Sequence, residues 1–209
     1  MLAINAGEDA CGPSKKMFFL KEPSELTIST FIANQRDRVF TYSAVGATNG
    51  NPPHGFIVDH NRVQLGRGVQ AYERAVAALK QWQEFDLGWV RIVPENIPLE
   101  VGAIVAVKAH AFGTWSLNAT RIVYLVNETS PDERFGFAYG TLPDHVECGE
   151  EQFMVEFHKE DESVWYDILA FSKPQHPLVK VSYPLARKLQ KRFARDSMQR
   201  MRGLIRAAE

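Results

Sequence analysis

Cysteine is scarce: Cys11 and Cys148 are the two in 209 residues, too few for a disulfide framework. No window approaches the roughly 18 consecutive apolar residues that a membrane-spanning helix needs. The first twenty residues carry Glu8, Asp9 and Pro13 where a secretory signal would have its apolar core. Together these absences point to a reducing cytoplasm and two reduced thiols. The six histidines are scattered, without the H-x-x-x-H or Cys-x-x-Cys spacing of a metal site. Nucleophile elbows and Walker loops are missing as well. Neither a metal nor a cofactor is expected. With 24 Lys and Arg against 25 Asp and Glu, the chain as a whole is not built to neutralise phosphates, and nucleic acid is not an expected partner.

What is present is 45% apolar and 11% aromatic residues, enough for a full core in one domain. Ser24 is placed to cap a short helix running to Asn34, with Leu26, Phe31 and Ile32 on one face. Turn chemistry fills Gly46 to Gly55, and Phe56 to Leu65 reads as a short, bent strand. An amphipathic helix is predicted over Gly68 to Phe85, with Tyr72, Val76, Leu79 and Trp82 on its stripe.

From Gly88 the apolar period becomes two. Strands are expected over Trp89–Val93, Ala103–Phe112, Trp115–Asn127, Arg134–Leu142, Glu150–His158 and Ser163–Phe171, separated by turn residues in the manner of an antiparallel meander. After Pro174 and Pro177 a long helix runs from Leu178 to about Ala207, with apolar positions 178, 181, 185, 189, 193, 201 and 204/205. Such a stripe needs a sheet to cover it. The fold class is therefore α+β: a curved antiparallel sheet wrapped around a long C-terminal helix, with a concave space between them. Residues 1–38 read as an N-terminal extension with a short helix, and 39–209 as a single domain.

Within Phe135-Gly136-Phe137-Ala138-Tyr139-Gly140-Thr141 the aromatics share one face and the small residues the other, which lets something pack close. Both faces of Val164 to Phe171 are bulky, so that strand should be covered on both sides. Asp167 then sits among Trp165, Leu169 and Phe171 and needs a partner, a Tyr or an Arg such as Arg121. His110 lies on a mixed face and is expected at an edge. The run Gly66-x-Gly68-x-x-Ala71 fits the dinucleotide fingerprint, but the polar preceding segment and the following meander do not make the parallel unit that fingerprint requires.

Several runs resemble the family catalogued as domain of unknown function 1990: Val63-Gln64-Leu65-Gly66-Arg67-Gly68, Phe85-Asp86-Leu87-Gly88-Trp89-Val90, Phe135 to Glu147 and Trp165 to Ser172. Tyr42, Gly46-Ala47-Thr48 and the basic helix around Arg192 to Ser197 add to it, and the resemblance spans roughly residues 39 to 205. That family is similar to the START lipid-transfer and pollen-allergen-like superfamily. The resemblance implies a helix-grip fold and a hydrophobic cavity under the closing helix, holding a small apolar molecule or lipid, and it implies no particular reaction.

The candidate ligand-binding residues are Tyr42, Trp115, Phe137, Tyr139, His145, Trp165 and Asp167, with Tyr166 a further candidate lining. For proton transfer the candidates are His145, Glu147 and Asp167. Three functions stay open at this point: a binding module for an apolar ligand, an enzyme working on such a ligand through His145 with Glu147 or Asp167, and an interaction protein. The last would use the nine Lys and Arg of 178–209 on an anionic membrane surface or nucleic acid.

Overall fold

A computed structural model describes residues 17–175 and 183–206. Its elements are β1 (Phe18–Phe19), α1 (Glu25–Ala33), β2 (Ile57–Arg67), α2 (Val69–Lys80), β3 (Val90–Val93), β4 (Ile104–Ala111), β5 (Thr114–Glu128), β6 (Glu133–Thr141), β7 (Glu147–Phe157), β8 (Ser163–Pro174) and α3 (Tyr183–Arg206). The strands form one antiparallel sheet in the order β2-β8-β7-β6-β5-β4-β3, with β1 added beside β5. The meander from β3 to β8 is the one the period-two pattern predicts. Its last strand then pairs with β2, so the segment before α2 becomes the far edge of the sheet.

The concave face and α3 meet over a core that includes Leu65, Leu79, Phe85, Phe137, Phe153, Tyr166, Met201 and Ile205. Burial of each such side chain contributes about 1.5–3 kcal/mol. On α3 the buried positions Ala194, Ser197, Met201 and Ile205 recur at three- and four-residue spacing, so the second half of the helix is seated on this core. The first half reaches out over the sheet. Residues 178–182 and 207 of the expected helix lie outside the described residues.

The predicted helix over Gly68 to Phe85 is two pieces. Trp82 takes a left-handed backbone (φ 57°) that ends α2, and a 3-10 turn, Gln83–Phe85, follows. The buried indole explains the break, since its Nε1–H donates to Ile97 O at 2.8 Å while its ring packs on Phe137 and Phe85. β2 extends to Arg67, two residues past the expected end, and a bulge at Gln64/Gly66 interrupts its register with β8. Because β2 runs antiparallel to β8, Gly66 and Gly68 shape a strand-to-helix turn, with Gly68 at φ 82°, and no βαβ unit exists here.

The outer, convex face is also covered. Ser24 caps α1 as predicted, its hydroxyl accepting from Thr27 N at 3.2 Å. Ile28 and Phe31 of α1 pack with Val93, Ala106, Leu117, Ala119 and Leu142. Residues 17–38 are thus built into the same sheet that the remainder forms. The 40–56 segment covers the rest, with Tyr42 and Phe56 against Phe171. The small face of β6 is where Tyr42 packs, since a Cβ on Gly140 would come within van der Waals radii of its hydroxyl. His110 lies on β4, one strand in from β3 rather than at an edge, and stacks on Trp115 with ring centroids 4.4 Å apart.

Candidate functional site

Between the concave face and the first half of α3 is a cavity of about 760 Å³, within the range of small-molecule sites. Leu185, Ala186, Leu189, Phe193 and Ala194 of α3 roof it; Phe85, Val107, Ala109 and Ile168 wall it. Its mouth lies toward Phe18, Phe112 and Leu185, which are partly or largely exposed.

Strand register orders the polar groups. One row across the concave face is Phe137, Phe153, Ile168 and Asn61; the next is Tyr139, Glu151, Ala170 and Asp59. Along β7, Glu147, Gly149 and Glu151 alternate inward, and Gly149 pairs with Ser172. Glu147, Glu151 and Asp59 therefore rim a recess floored by Gly149, Ala170 and Ser172, whose small side chains leave the space open. Gly149 can only be glycine: at φ 154° a Cβ there would overlap Phe171 O.

Each acid has a different environment. Asp59 is gripped by Arg187 of α3 at 2.5 and 2.6 Å, which holds its carboxyl below the ordinary range against the opposing effect of burial. Burial pushes the Glu147 carboxyl up to about 7, with Asp59 adding to the rise and the Ser172 hydroxyl and Arg187 opposing it. Its Oε2 has no hydrogen-bond partner among the described residues, although Glu147 is only 7% exposed. Burial likewise raises Glu151 to about 7, although the Tyr139 hydroxyl donates to its Oε2 at 2.7 Å.

His145 presents part of its ring to the cavity. Burial lowers it to about 4, against the pull of the Glu147 carbonyl, so it is neutral at pH 7. His145 Nδ1 faces the Glu147 backbone, 2.9 Å from its N–H and 3.1 Å from its carbonyl oxygen, which fixes the orientation of the ring. The loop that carries it is pinned from the convex side: Gln35 Nε2 donates to Asp144 Oδ2 at 2.6 Å, and Ala119 N to Asp144 O at 2.9 Å. The segment before residue 39 thus positions a cavity residue.

Of the residues singled out by sequence, Tyr139, His145 and Glu147 line this cavity. Phe137 is core, stacked on Phe153 and edge-on to Trp82, and Tyr166 is buried with its hydroxyl 3.0 Å from Ser197 Oγ. Tyr42, Trp115, Trp165 and Asp167 point to the convex face, away from the cavity. Asp167 is paired there with Arg62 at 2.9 Å and His60 at 2.5 Å, in register across β2 and β8. Its partner is Arg62 and not Arg121, which donates to the carbonyls of Gln35 and Arg36. Sequence reasoning misses Asp59, Glu151 and Gln190. Alternation from Phe153 back to Glu151 is the one signal that points to Glu151.

Residues 41–200 match the family described as Domain of unknown function (DUF1990). The chain belongs to that family. It is 37% identical over 203 residues to a UPF0548 protein of Dictyostelium discoideum, covering 88% of this chain and 94% of that one. A UPF0548 protein of Deinococcus radiodurans is 36% identical over 203 residues, covering 92% of this chain and 99% of its own length. The crystal structure of TTHA0849 from Thermus thermophilus has a TM-score of 0.51 at 13% identity, covering 73% of this chain and 99% of that one, which is a likeness of fold. The fold is a helix-grip.

In this DUF1990 chain, Tyr42 and the Gly46-Ala47-Thr48 run clamp a buried carboxylate. Glu150 accepts from Tyr42 Oη (2.7 Å), Gly46 N (2.7 Å), Thr48 N (2.9 Å) and Thr48 Oγ1 (2.5 Å). These contacts lie on the convex side of β7 and secure the strand whose other face carries Glu147 and Glu151. No group of His, Cys, Asp and Glu among the described residues is arranged to hold a metal.

Proposed function

We propose that this protein binds a small, mainly apolar molecule or lipid in the cavity beneath the first half of α3. The observation that carries the reading is the cavity itself: about 760 Å³, walled by Phe85, Val107, Ile168, Leu189 and Phe193, with its carboxyls gathered in one recess and neutral polar side chains such as Ser116 and Asn118 elsewhere on the wall. Tyr139, His145, Glu147 and Glu151 would fix the polar end of the ligand. Native mass spectrometry on protein from its own cells should show a stoichiometric adduct, and Ala109→Trp, which fills the wall, should remove it. If the protein carries no adduct and takes up no neutral apolar probe such as Nile red, the reading is overturned.

A second reading, acid–base catalysis on such a ligand, is favoured by Glu147 and Glu151, which burial brings to about 7 beside a neutral imidazole. Its test is conversion of the extracted adduct on incubation with the protein; unchanged turnover in His145→Ala would remove His145 from the chemistry. The basic face of α3 supports membrane contact less well. Arg187 is paired with Asp59, Arg192 and Arg195 with Asp196, and Arg200 with Asp86, so much of its charge is already engaged. None of the helices among the described residues is long and apolar enough to cross a membrane. We place the protein in a reducing cytoplasm, a reading that the presence of only two cysteines in 209 residues supports.

A further inference from the structure

Resting on the cavity reading, we infer that the ligand is an organic cation: an apolar body whose protonated amine or amidine seats in the recess of Gly149, Ala170 and Ser172, between Glu147, Glu151 and Asp59. A ligand with an anionic head, a fatty acid above all, would be excluded from the same place.

The argument starts from charge. The groups facing the recess are Asp59 from β2, Tyr139 from β6, His145 from the loop after it, Glu147 and Glu151 from β7, and Arg187 and Lys191 from α3. Arg187 is already committed, donating to both oxygens of Asp59 and to Gln190 Oε1. Lys191 is exposed at the cavity's outer side. His145 is neutral, and the Tyr139 hydroxyl is engaged as a donor to Glu151. Among the described residues, the cation that faces the recess outside an ion pair is thus the solvated Lys191, while two buried or half-buried carboxyls, Glu147 and Glu151, face it without a cationic partner. A carboxylate head would meet acidic walls with no buried counter-charge, since Lys191 lies in solvent, and that costs free energy in a medium of low dielectric.

The second observation is an acceptor left open. Glu147 Oε2 is buried with no partner among the described residues, in a side chain that lines the cavity. Buried acceptors are nearly always satisfied, so an open one at a cavity wall marks where a donor belongs. An ammonium or amidinium supplies several N–H donors at once and makes charge-assisted hydrogen bonds to carboxylates. The spacing suits a head of that size: Asp59 and Glu151 sit two strands apart across Ala170, about 10 Å between backbones, with both side chains reaching inward.

Proton linkage sets the sign. Burial lets Glu147 and Glu151 each hold their proton up to about 7, and a cation binds their ionised forms. Affinity for it should rise about tenfold per carboxyl released between pH 6 and pH 8. A neutral head has no such dependence.

The experiment is displacement of Nile red from the full chain by decylamine, decanol and decanoate, below their aggregation limits, at pH 6 and pH 8. Decylamine is expected to bind at least tenfold tighter than decanol at pH 8, with that advantage shrinking at pH 6, and decanoate weakest of the three. In Glu147→Gln/Glu151→Gln the amine should fall to the level of the alcohol. The wild-type pH profile tests the same point without any variant. Equal binding by the three compounds, or tightest binding by decanoate, would leave the cavity reading standing and sink the cation inference. If none of the three binds and Nile red is not taken up, the cavity reading falls and this inference with it.

Discussion

Arg187 of α3 holds Asp59 of β2 with both terminal nitrogens of its guanidinium, at 2.5 and 2.6 Å. This pair ties the first half of the helix to the edge of the sheet across the cavity. The second half of α3 needs no such tie, because Ala194, Met201 and Ile205 are buried in the core. The helix is thus anchored by apolar packing at one end and by an ion pair at the other.

Breaking the pair should loosen only the roof. Arg187→Gln is expected to cost about 1 kcal/mol of global stability, since both partners are partly solvated. Amide exchange over residues 185–193 should accelerate while that over 197–205 stays as it is. Uniform acceleration along the helix would mean that the roof has no separate anchor.

His145 is expected to stay neutral through pH 5.5, because burial lowers it to about 4. Nitrogen chemical shifts of the labelled ring, followed from pH 8 to pH 5, read both the charge and the tautomer. Titration near the ordinary 6.5 would mean that the ring is solvated.

Glu84 lies in the core with 0% exposure and neither carboxyl oxygen partnered among the described residues. Burial raises its pKa well above 4.5. A carboxyl raised in the folded state favours folding below its unfolded pKa, and that contribution is lost as pH rises toward the folded value. Glu84→Gln should therefore raise Tm more at pH 8 than at pH 5. Glu147 has the same sign, its rise from 4.5 to about 7 amounting to on the order of 3 kcal/mol lost by neutral pH. A Glu84→Gln variant with the same Tm difference from wild type at both pH values would place the carboxyl in water.

Gly149→Ala is expected to destabilise by on the order of 2–3 kcal/mol, because its Cβ would overlap Phe171 O and neither strand can retreat. Gly203 on α3 has open space around it, so Gly203→Ala should be stabilising by about 1 kcal/mol instead. Chemical denaturation of the two variants checks both signs.

Asp167→Asn should cost stability, about 1 kcal/mol, by removing the carboxylate that holds His60 at 2.5 Å and one of the two that hold Arg62, which keeps Glu156 at 2.7 Å. Uptake of Nile red should be unaffected, since Asp167 lies on the convex face. A lost probe signal in a folded variant would put Asp167 in communication with the cavity.

The strands of the meander and the closing helix were legible in the sequence by itself, because period-two alternation, turn residues and a helical stripe are local properties of the chain. Ser24 as a cap and the small face of β6 were legible for the same reason. Which face of each strand looks inward was decided by tertiary structure alone. In Trp165-Tyr166-Asp167-Ile168 both faces are bulky, since on the convex side Arg62 lies over the Trp165 ring and pairs with Asp167 and Glu156, while α2 and α3 cover the concave side. Composition then cannot tell Asp167, outside, from Glu151, inside. Adjacent Glu150 and Glu151 look alike in sequence, yet one is clamped by Tyr42 and Thr48 and the other faces the cavity. Pairing between β2 and β8, 105 residues apart for Arg62 and Asp167, brings Asp59 to the recess, and no local pattern encodes a contact at that separation.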